Sequence, residues 1–414
     1  MATPAQRTNT WTLDEWYDQS VAGTTGGYAW GGQLWSWGYN REGSLGLNGN
    51  NRSFDRSSPT QVGTDSTWKW ISGSSNLYMM LAGKKDGTMW GWGKNEQGML
   101  GYNLNAARSS PIQIGTETNW KWGVCGTYCS LFLKTDGTLW TAGYNFEGML
   151  GLNSNGNRIS SPTQIGTETT WKQINGGRQV MGGVKTDGTM WMWGTGSGMM
   201  WVTNNNAMRS SPTQMPGTTW KKFAFGSYTG AALKTNGSLW MWGDNGQGTL
   251  GMNGNGSTGT PTNYGSGASS PIQIGTTTNW DDITLAYAES SHRMIMATKT
   301  DNTLWAWGSG GPSKLGLNFG TNQTSRRSSP TQIPGSWATA DVGVFDCSAD
   351  STISGQGDVV AAKKANGDYF VWGRGVTYGG LGLNDKVSRS SPTQLPGNWF
   401  TIRGGYGGGA AIVQ

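Results

Sequence analysis

Few residues in this chain have the type and spacing to do chemistry. His292 is the only histidine among 414 residues, which removes histidine-based metal clusters and argues against a Ser-His-Asp constellation. Cys125 and Cys129 stand four apart with no second pair to complete a zinc site, so they read as two small residues of the protein interior. With Cys347 there are three cysteines, one of which must remain unpaired; folding in a reducing compartment is expected. Asp86, Asp136 and Asp187 each precede a glycine. Paired carboxylates serve glycosidases as acid and base, but the same slot holds Asn236 and Asn366, which cannot. A turn explains all five. Glycine is so frequent, at 69 residues, that a phosphate-loop match carries no weight. The expectation is a protein with no catalytic residue, no cofactor and no metal.

Three groups of residues are candidates for binding instead. Arg56, Arg108, Arg209, Arg327 and Arg389 each stand just before Ser-Ser-Pro, so symmetry places them on one rim. There they form a basic ring for an acidic partner, phosphate or sulfated glycan, or they brace loops through backbone carbonyls and carboxylates such as Glu42 and Glu147. Met199, Met200 and Trp201 interrupt the fourth repeat, with Met190, Met192 and Met208 close in sequence. Methionine and tryptophan suit an adaptable contact surface; the alternative is that they fill an irregular blade. Near the start, Thr12-Leu13-Asp14-Glu15 reads as a capping box. Leu13, Trp16 and Tyr17 then share a face of a helix too short to stand alone, and with Trp11 they form an anchor that must dock on something. That something is another chain or the rest of this one.

A unit of about 50 residues, repeated seven times, sets these positions. Its clearest form runs TDGTLWxWG, NxxGxLGLN, RSSPTQIG and TTWKxI. The first block falls at Leu34–Gly38, Asp86–Gly93, Asp136–Gly143, Asp187–Gly194, Asn236–Gly243, Asp301–Gly308 and Asn366–Gly373. Asp-Gly or Asn-Gly between apolar runs signals a hairpin with a type I′ turn. Leu-Trp-x-Trp-Gly alternates as a strand does, and the proline of Ser-Ser-Pro suits a strand start or an edge. Four short strands per unit follow. Such a sheet cannot bury both faces alone, but seven packed radially cover one another. Seven tryptophans stand in the TWK position, six at the first and six at the second position of LWxWG, where Phe370 and Ala142 are the exceptions. Nineteen of the 25 tryptophans are thus assigned to packing between blades.

The two ends complete one unit. Asn398–Gln414 supplies a TWKxI-like and an LKT-like segment and stops where Asp-Gly should follow; Gly32-Gln33-Leu34-Trp35 begins the missing half. The fold predicted is all-β: a seven-bladed β-propeller over residues 28–414, one blade closed by both termini, preceded by an N-terminal arm over residues 1–27.

Only 13% of residues are charged, and the net charge of +6 comes from 30 basic and 24 acidic residues spread along the chain. No Lys/Arg block marks a nucleic-acid arm, so nucleic acid is not an expected partner. The first residues carry no apolar run of signal-peptide length and no segment approaches a membrane span, so neither ordinary export nor membrane insertion is expected.

The block Trp37-Gly38-Tyr39-Asn40 through Leu45-Gly46, with its copies at Trp92–Gly101 and Trp242–Gly251, resembles the regulator-of-chromosome-condensation repeat. Cys125-Gly126, then Leu133 and Asp136-Gly137, are similar to that family's Cys-Gly…Leu…Asp-Gly stretch. The resemblance covers residues from about 28 to 414 and implies a propeller. It implies less about function, because the family spans GTPase exchange factors, a plant ultraviolet receptor and many interaction modules. The third repeat lacks the wedge-like insertion of the exchange factor, the receptor's Gly-Trp-Arg-His-Thr motif is missing, and Cys129 stands where the family often has histidine.

Near-identical repeats, Asn/Thr/Ser/Gly loops and scarce charge suit an externally displayed surface, yet no export signal is present. A virion component meets both conditions, and RSSPTQIG with TTWK is similar to propeller proteins carried by tailed bacteriophages. The sequence therefore leads to a non-enzymatic interaction or structural propeller: a bacteriophage virion protein on capsid or tail, made in the host cytoplasm and anchored by its arm. Its expected partners are other virion proteins and a host-surface glycan or protein. The alternative is a cytoplasmic adaptor or small-GTPase regulator.

Overall fold

The computed structural model describes residues 32–413 except 74–77, 178, 196–206, 227, 254–266, 286–293, 311–313, 319–325, 347–357, 376–378 and 406. The anchor residues Trp11, Leu13, Trp16 and Tyr17, the Met199-Met200-Trp201 segment, His292 and Cys347 lie outside the described residues.

The Asp-Gly corner forms a hairpin, but not with the type I′ turn that the dipeptide suggests. In the first corner Gly87 N–H donates to the Lys84 carbonyl at 3.1 Å and Lys84 N–H to the Thr88 carbonyl at 3.0 Å. The loop is therefore three residues long, and only Gly87 has a positive φ, +80°. This is a type I turn followed by a left-handed residue. Asp86 keeps a negative φ, and its Oδ1 accepts both the Thr88 N–H at 2.9 Å and the Thr88 hydroxyl at 2.7 Å. The side chain closes the loop, which a type I′ turn would not need. In another corner Asn302, φ +63°, replaces the glycine.

Each repeat then yields an antiparallel four-stranded sheet in sequence order. Blade 1 holds Trp68–Gly73, Met79–Lys84, Met89–Gly93 and Arg108–Gln113. Blades 2 to 6 repeat the order from Trp120, Trp171, Trp220, Trp280 and Trp337. Blade 7 takes Trp399–Gly405 and Gly408–Val413 from the C-terminus, and Gln33–Gly38 and Arg56–Gln61 from the other end. Their register runs from Gln33↔Val413 to Gly38↔Gly408. The first strands of successive blades contact one another in order, and the strand at Trp399 touches both the one at Trp337 and the one at Trp68. The ring is closed, and the TWKxI strands are its innermost layer.

Among the described residues there is no single core. Seven apolar clusters lie between the seven pairs of neighbouring blades. The TWK tryptophans are at most 8% exposed, and the second tryptophans of LWxWG at most 1%. The first tryptophans of LWxWG are half-buried.

The outer strands are edges, and each breaks its ladder at Ser-Ser-Pro. In blade 7 Ser36 pairs with Thr60 and Gly38 with Arg56, leaving Ser57, Ser58 and Pro59 out of register. A residue without N–H belongs where the ladder is already broken. That excursion receives the preceding repeat. Asn48 N–H donates to the Ser109 carbonyl at 2.8 Å, and Asn103, Asn153, Asn253, Asn318 and Asn384 make the equivalent bond to Ser160, Ser210, Ser328, Ser390 and Ser57. A Cβ on Gly43, at the heart of NxxGxLG, would lie 2.4 Å from the Ser109 Cα, so the close approach requires glycine. The NxxGxLGLN and RSSPTQ blocks are thus two halves of one stitch between blades.

Candidate functional site

The groups that repeat and could do chemistry are engaged within the blades. The turn carboxylates begin a relay: Asp136 Oδ1 accepts from Thr138, whose Oγ1 accepts from Trp140 Nε1 at 2.9 Å. Asp86, Asp187 and Asp301 begin the same relay, and Asn236 does so through Ser238. Partial burial raises the Asp136 carboxyl, but its bonds from Thr138 outweigh that and hold it below the usual carboxylate range. The same two bonds, from Thr189, depress Asp187 directly. Such groups favour the ionised form when folded, so they contribute stability above the ordinary carboxylate pKa and lose it as pH falls through the depressed folded value. Thermal stability should therefore be level down to about pH 5 and fall below about pH 4. The double variant Asp136→Asn/Asp187→Asn, which copies the natural Asn236, should show a shallower acid limb in a pH series of melts. An unchanged limb would remove these turns from the acid response.

A lysine ends the second strand in six blades and sits between two aromatic rings. Lys134 Nζ lies 4.8 Å from the centroid of Trp120 and 3.9 Å from that of Trp140; Lys84, Lys185, Lys234 and Lys299 repeat this arrangement. Lys364 sits between Trp337 and Phe370. In blades 1 to 3 an acid from the linker completes the clamp: Asp65 to Lys84 at 2.7 Å, Glu117 to Lys134 at 2.8 Å, and Glu168 to Lys185. Buried ammoniums need such partners. In blade 7 the position is Val413, paired with Trp399.

Cys125 belongs to the cluster between blades 1 and 2, and Cys129 to that between blades 2 and 3. They face opposite sides of one sheet. Burial pushes both thiols up, away from the reactive thiolate. Among the described residues no group of three or more His, Cys, Asp or Glu could hold a metal ion.

Arg56, Arg108, Arg209, Arg327 and Arg389 all begin outer strands, each opposite the glycine that ends LWxWG. Arg158 and Ala268 begin the outer strands of the two remaining blades. Arg56 Nη1 donates to the carbonyls of Ser53 at 3.2 Å and Asp55 at 3.0 Å. Arg327 reaches the Arg326 carbonyl at 2.9 Å, and Arg209 makes long contacts with Ala207 and Met208 carbonyls. Arg389 holds the Val387 carbonyl at 3.0 Å and Asp385 Oδ2 at 2.5 Å. Arg108 lies over the Tyr102 ring, 5.2 Å from its centroid.

A second charged feature escaped the sequence reading. The residue after the TWK tryptophan is lysine in four successive blades, Lys69, Lys121, Lys172 and Lys221, and aspartate, Asp281, in the fifth. In each of these blades it is the extra residue of a bulge in the innermost strand. Lys221 Nζ reaches Asp281 Oδ1 across the blade boundary at 3.0 Å, and the next residues, Lys222 and Asp282, pair likewise. The signal was present as the K of TWK, one lysine every fifty residues or so.

Fold and site together define a closed propeller whose repeats are stitched blade to blade. Models of the Regulator of chromosome condensation (RCC1) repeat match residues 31–81 and 86–133, and a second model of that repeat matches 220–249. The chain carries repeats of this type. Among solved structures it is similar to Prp20p from Saccharomyces cerevisiae, at 19% identity over 92% of this chain and 91% of that one, with a TM-score of 0.74. A structure of the same yeast protein with Kap60 gives 18% identity over 100% and 97%, TM-score 0.74. Human WBSCR16 gives 18% identity over 92% and 98%, TM-score 0.72. These likenesses establish the fold. No curated protein matches the chain in sequence.

Proposed function

We propose that this chain is a non-catalytic propeller that binds other proteins. The observation that carries the reading is the engagement of its repeated ionisable groups: turn aspartates in relays to tryptophan, strand lysines between aromatic rings. What remains for a ligand is a rigid ring with charged rims. The likeness to Prp20p, a protein described with its binding to Gsp1p and histones, supports a binding role for a scaffold of this shape. The test is purification of the intact protein at low salt from the cells or particles that make it, identification of co-purifying proteins, and reconstitution from pure components. A stoichiometric complex without chemical change in either partner is expected. A protein that remains alone, or that turns over a small molecule, would overturn the reading.

The finer placement is a bacteriophage virion, with residues 1–27 as the anchor. Repeat wording and composition support it, and the experiment is deletion of residues 1–27. The truncated protein should melt like the intact one yet fail to co-purify with particles. A lowered melting temperature with assembly intact would instead mean that the arm packs on its own propeller, which favours the adaptor reading.

A further inference from the structure

We infer that an aromatic patch on blade 2, Tyr128, Tyr144 and Phe146 with Arg158 beside it, docks a protein partner through a large apolar side chain flanked by a carboxylate. The inference deepens the protein-binding reading and rests on it. The three rings touch one another. Tyr128 lies 5.7 Å from Phe146 and 6.4 Å from Tyr144, and those two are 6.2 Å apart, centroid to centroid. All three are partly exposed, while Tyr128 and Phe146 also pack on the buried cluster between blades 2 and 3. The rings therefore stand on a rigid base and lose little freedom when a partner covers them. The related Tyr39 and Tyr78, at the border of blades 7 and 1, are at most 7% exposed. Blade 1 has Lys94 and Glu96 in place of Tyr144 and Phe146.

The arginine fixes the chemistry of the ligand. Elsewhere the arginine before Ser-Ser-Pro faces the glycine that ends LWxWG, and Arg56, Arg209, Arg327 and Arg389 turn back to loop carbonyls. In blade 2 Ile159 takes that place opposite Gly143, and the pairing continues one step further, with Arg158 opposite Tyr144. Arg158 is exposed, its Cζ 5.4 Å from the Tyr144 ring centroid, and no carboxylate pairs with it among the described residues. A guanidinium laid on an aromatic face keeps its planar fork for an incoming carboxylate. Tyrosine and arginine are also enriched among the side chains that carry binding energy at protein interfaces. A sugar would need amide or carboxylate groups turned toward the rings. Asn145 is instead tied inward, donating to the Ser154 carbonyl at 2.7 Å and accepting from the Leu150 N–H at 3.0 Å, and Glu147 Oε2 is buried.

The test selects a random dodecapeptide library on the full chain and counter-selects on Tyr144→Lys/Phe146→Glu/Arg158→Ala. That variant gives blade 2 the residues of blade 1, Lys94, Glu96 and Ala107, where Lys94 and Glu96 pair at 3.2 Å, so it should fold and melt cooperatively. Enriched peptides should carry an aromatic residue or leucine close to Asp or Glu. Fluorescein-labelled copies, read by anisotropy, should bind the variant about tenfold more weakly than the parent, the effect of losing one strong interface side chain. Arg158→Ala alone, at an exposed position, should already weaken them about threefold, the scale of one solvent-screened pair. Arg56→Ala/Arg389→Ala should bind as the parent does. No enrichment over the counter-selected variant, or equal binding by parent and both variants, would overturn the inference. Enriched peptides without an acidic residue would overturn the role of Arg158. An oligosaccharide bound by the parent and lost in the triple variant would overturn the choice of a protein ligand. If the complex reconstituted from pure components forms equally well with the triple variant, the inference fails while the protein-binding reading stands.

Discussion

Replacing Trp307 by alanine should cost about 3–5 kcal/mol of stability, the range for emptying a large buried aromatic site. Trp307 is fully buried between blades 4 and 5, 6.2 Å from Trp280, and its Nε1 donates to the Thr249 carbonyl at 2.9 Å across the stitch. Blade 2 shows how alanine is tolerated there. Ala142 occupies the equivalent place, and its cluster contains Phe132, whose counterpart in blade 5 is Ala297. Blade 5 has no such filler, so the cavity stays. Phenylalanine variants separate the ring from its hydrogen bond. Trp307→Phe leaves the Thr249 carbonyl without its donor, whereas Trp242 Nε1 already finds no acceptor among the described residues. Trp242→Phe should therefore cost about 1 kcal/mol less than Trp307→Phe in chemical denaturation. Equal costs would show that the indole bond does not hold the blades together.

Much of this architecture is legible in the sequence because each blade states it again. Strand order, the two layers of tryptophan and the shared seventh blade follow from where LWxWG and TWK recur and where the chain stops. The turn type does not follow. Asp-Gly fits both a type I′ turn and a type I turn closed by glycine, and only the backbone decides between them, with Lys84 N–H on the Thr88 carbonyl and a positive φ at Gly87 alone. Pairing of NxxGxLGLN with RSSPTQ is equally hidden, since Asn48 meets Ser109 across a blade boundary. The arginine rim was visible because Arg-Ser-Ser-Pro is a contiguous signature. The lysine row was not, because a search for basic blocks passes over Lys69, Lys121, Lys172 and Lys221, which the ring gathers from distant points of the chain.

Deleting residues 401–414 should abolish cooperative unfolding altogether. The deletion removes the strand Gly408–Val413, on which Gln33–Gly38 is built, and the buried Ile402, Ala410, Ala411 and Ile412. It opens both clusters that flank blade 7. The loss exceeds what a domain with about 5–15 kcal/mol of stability tolerates. The expected product binds a hydrophobic dye and melts without a transition. A sharp transition near that of the intact chain would mean that six blades suffice.

The most direct test of ring closure leaves the chain whole: native-state hydrogen exchange at rising denaturant. If blade 7 is a full member of the ring, the paired amides of Gln33–Gly38 and Gly408–Val413 open only with the whole molecule. They should then show the same opening free energy and denaturant dependence as those of Leu239–Gly243 in blade 4. Earlier, independent opening of the two terminal strands would contradict closure and leave six blades with a frayed seventh.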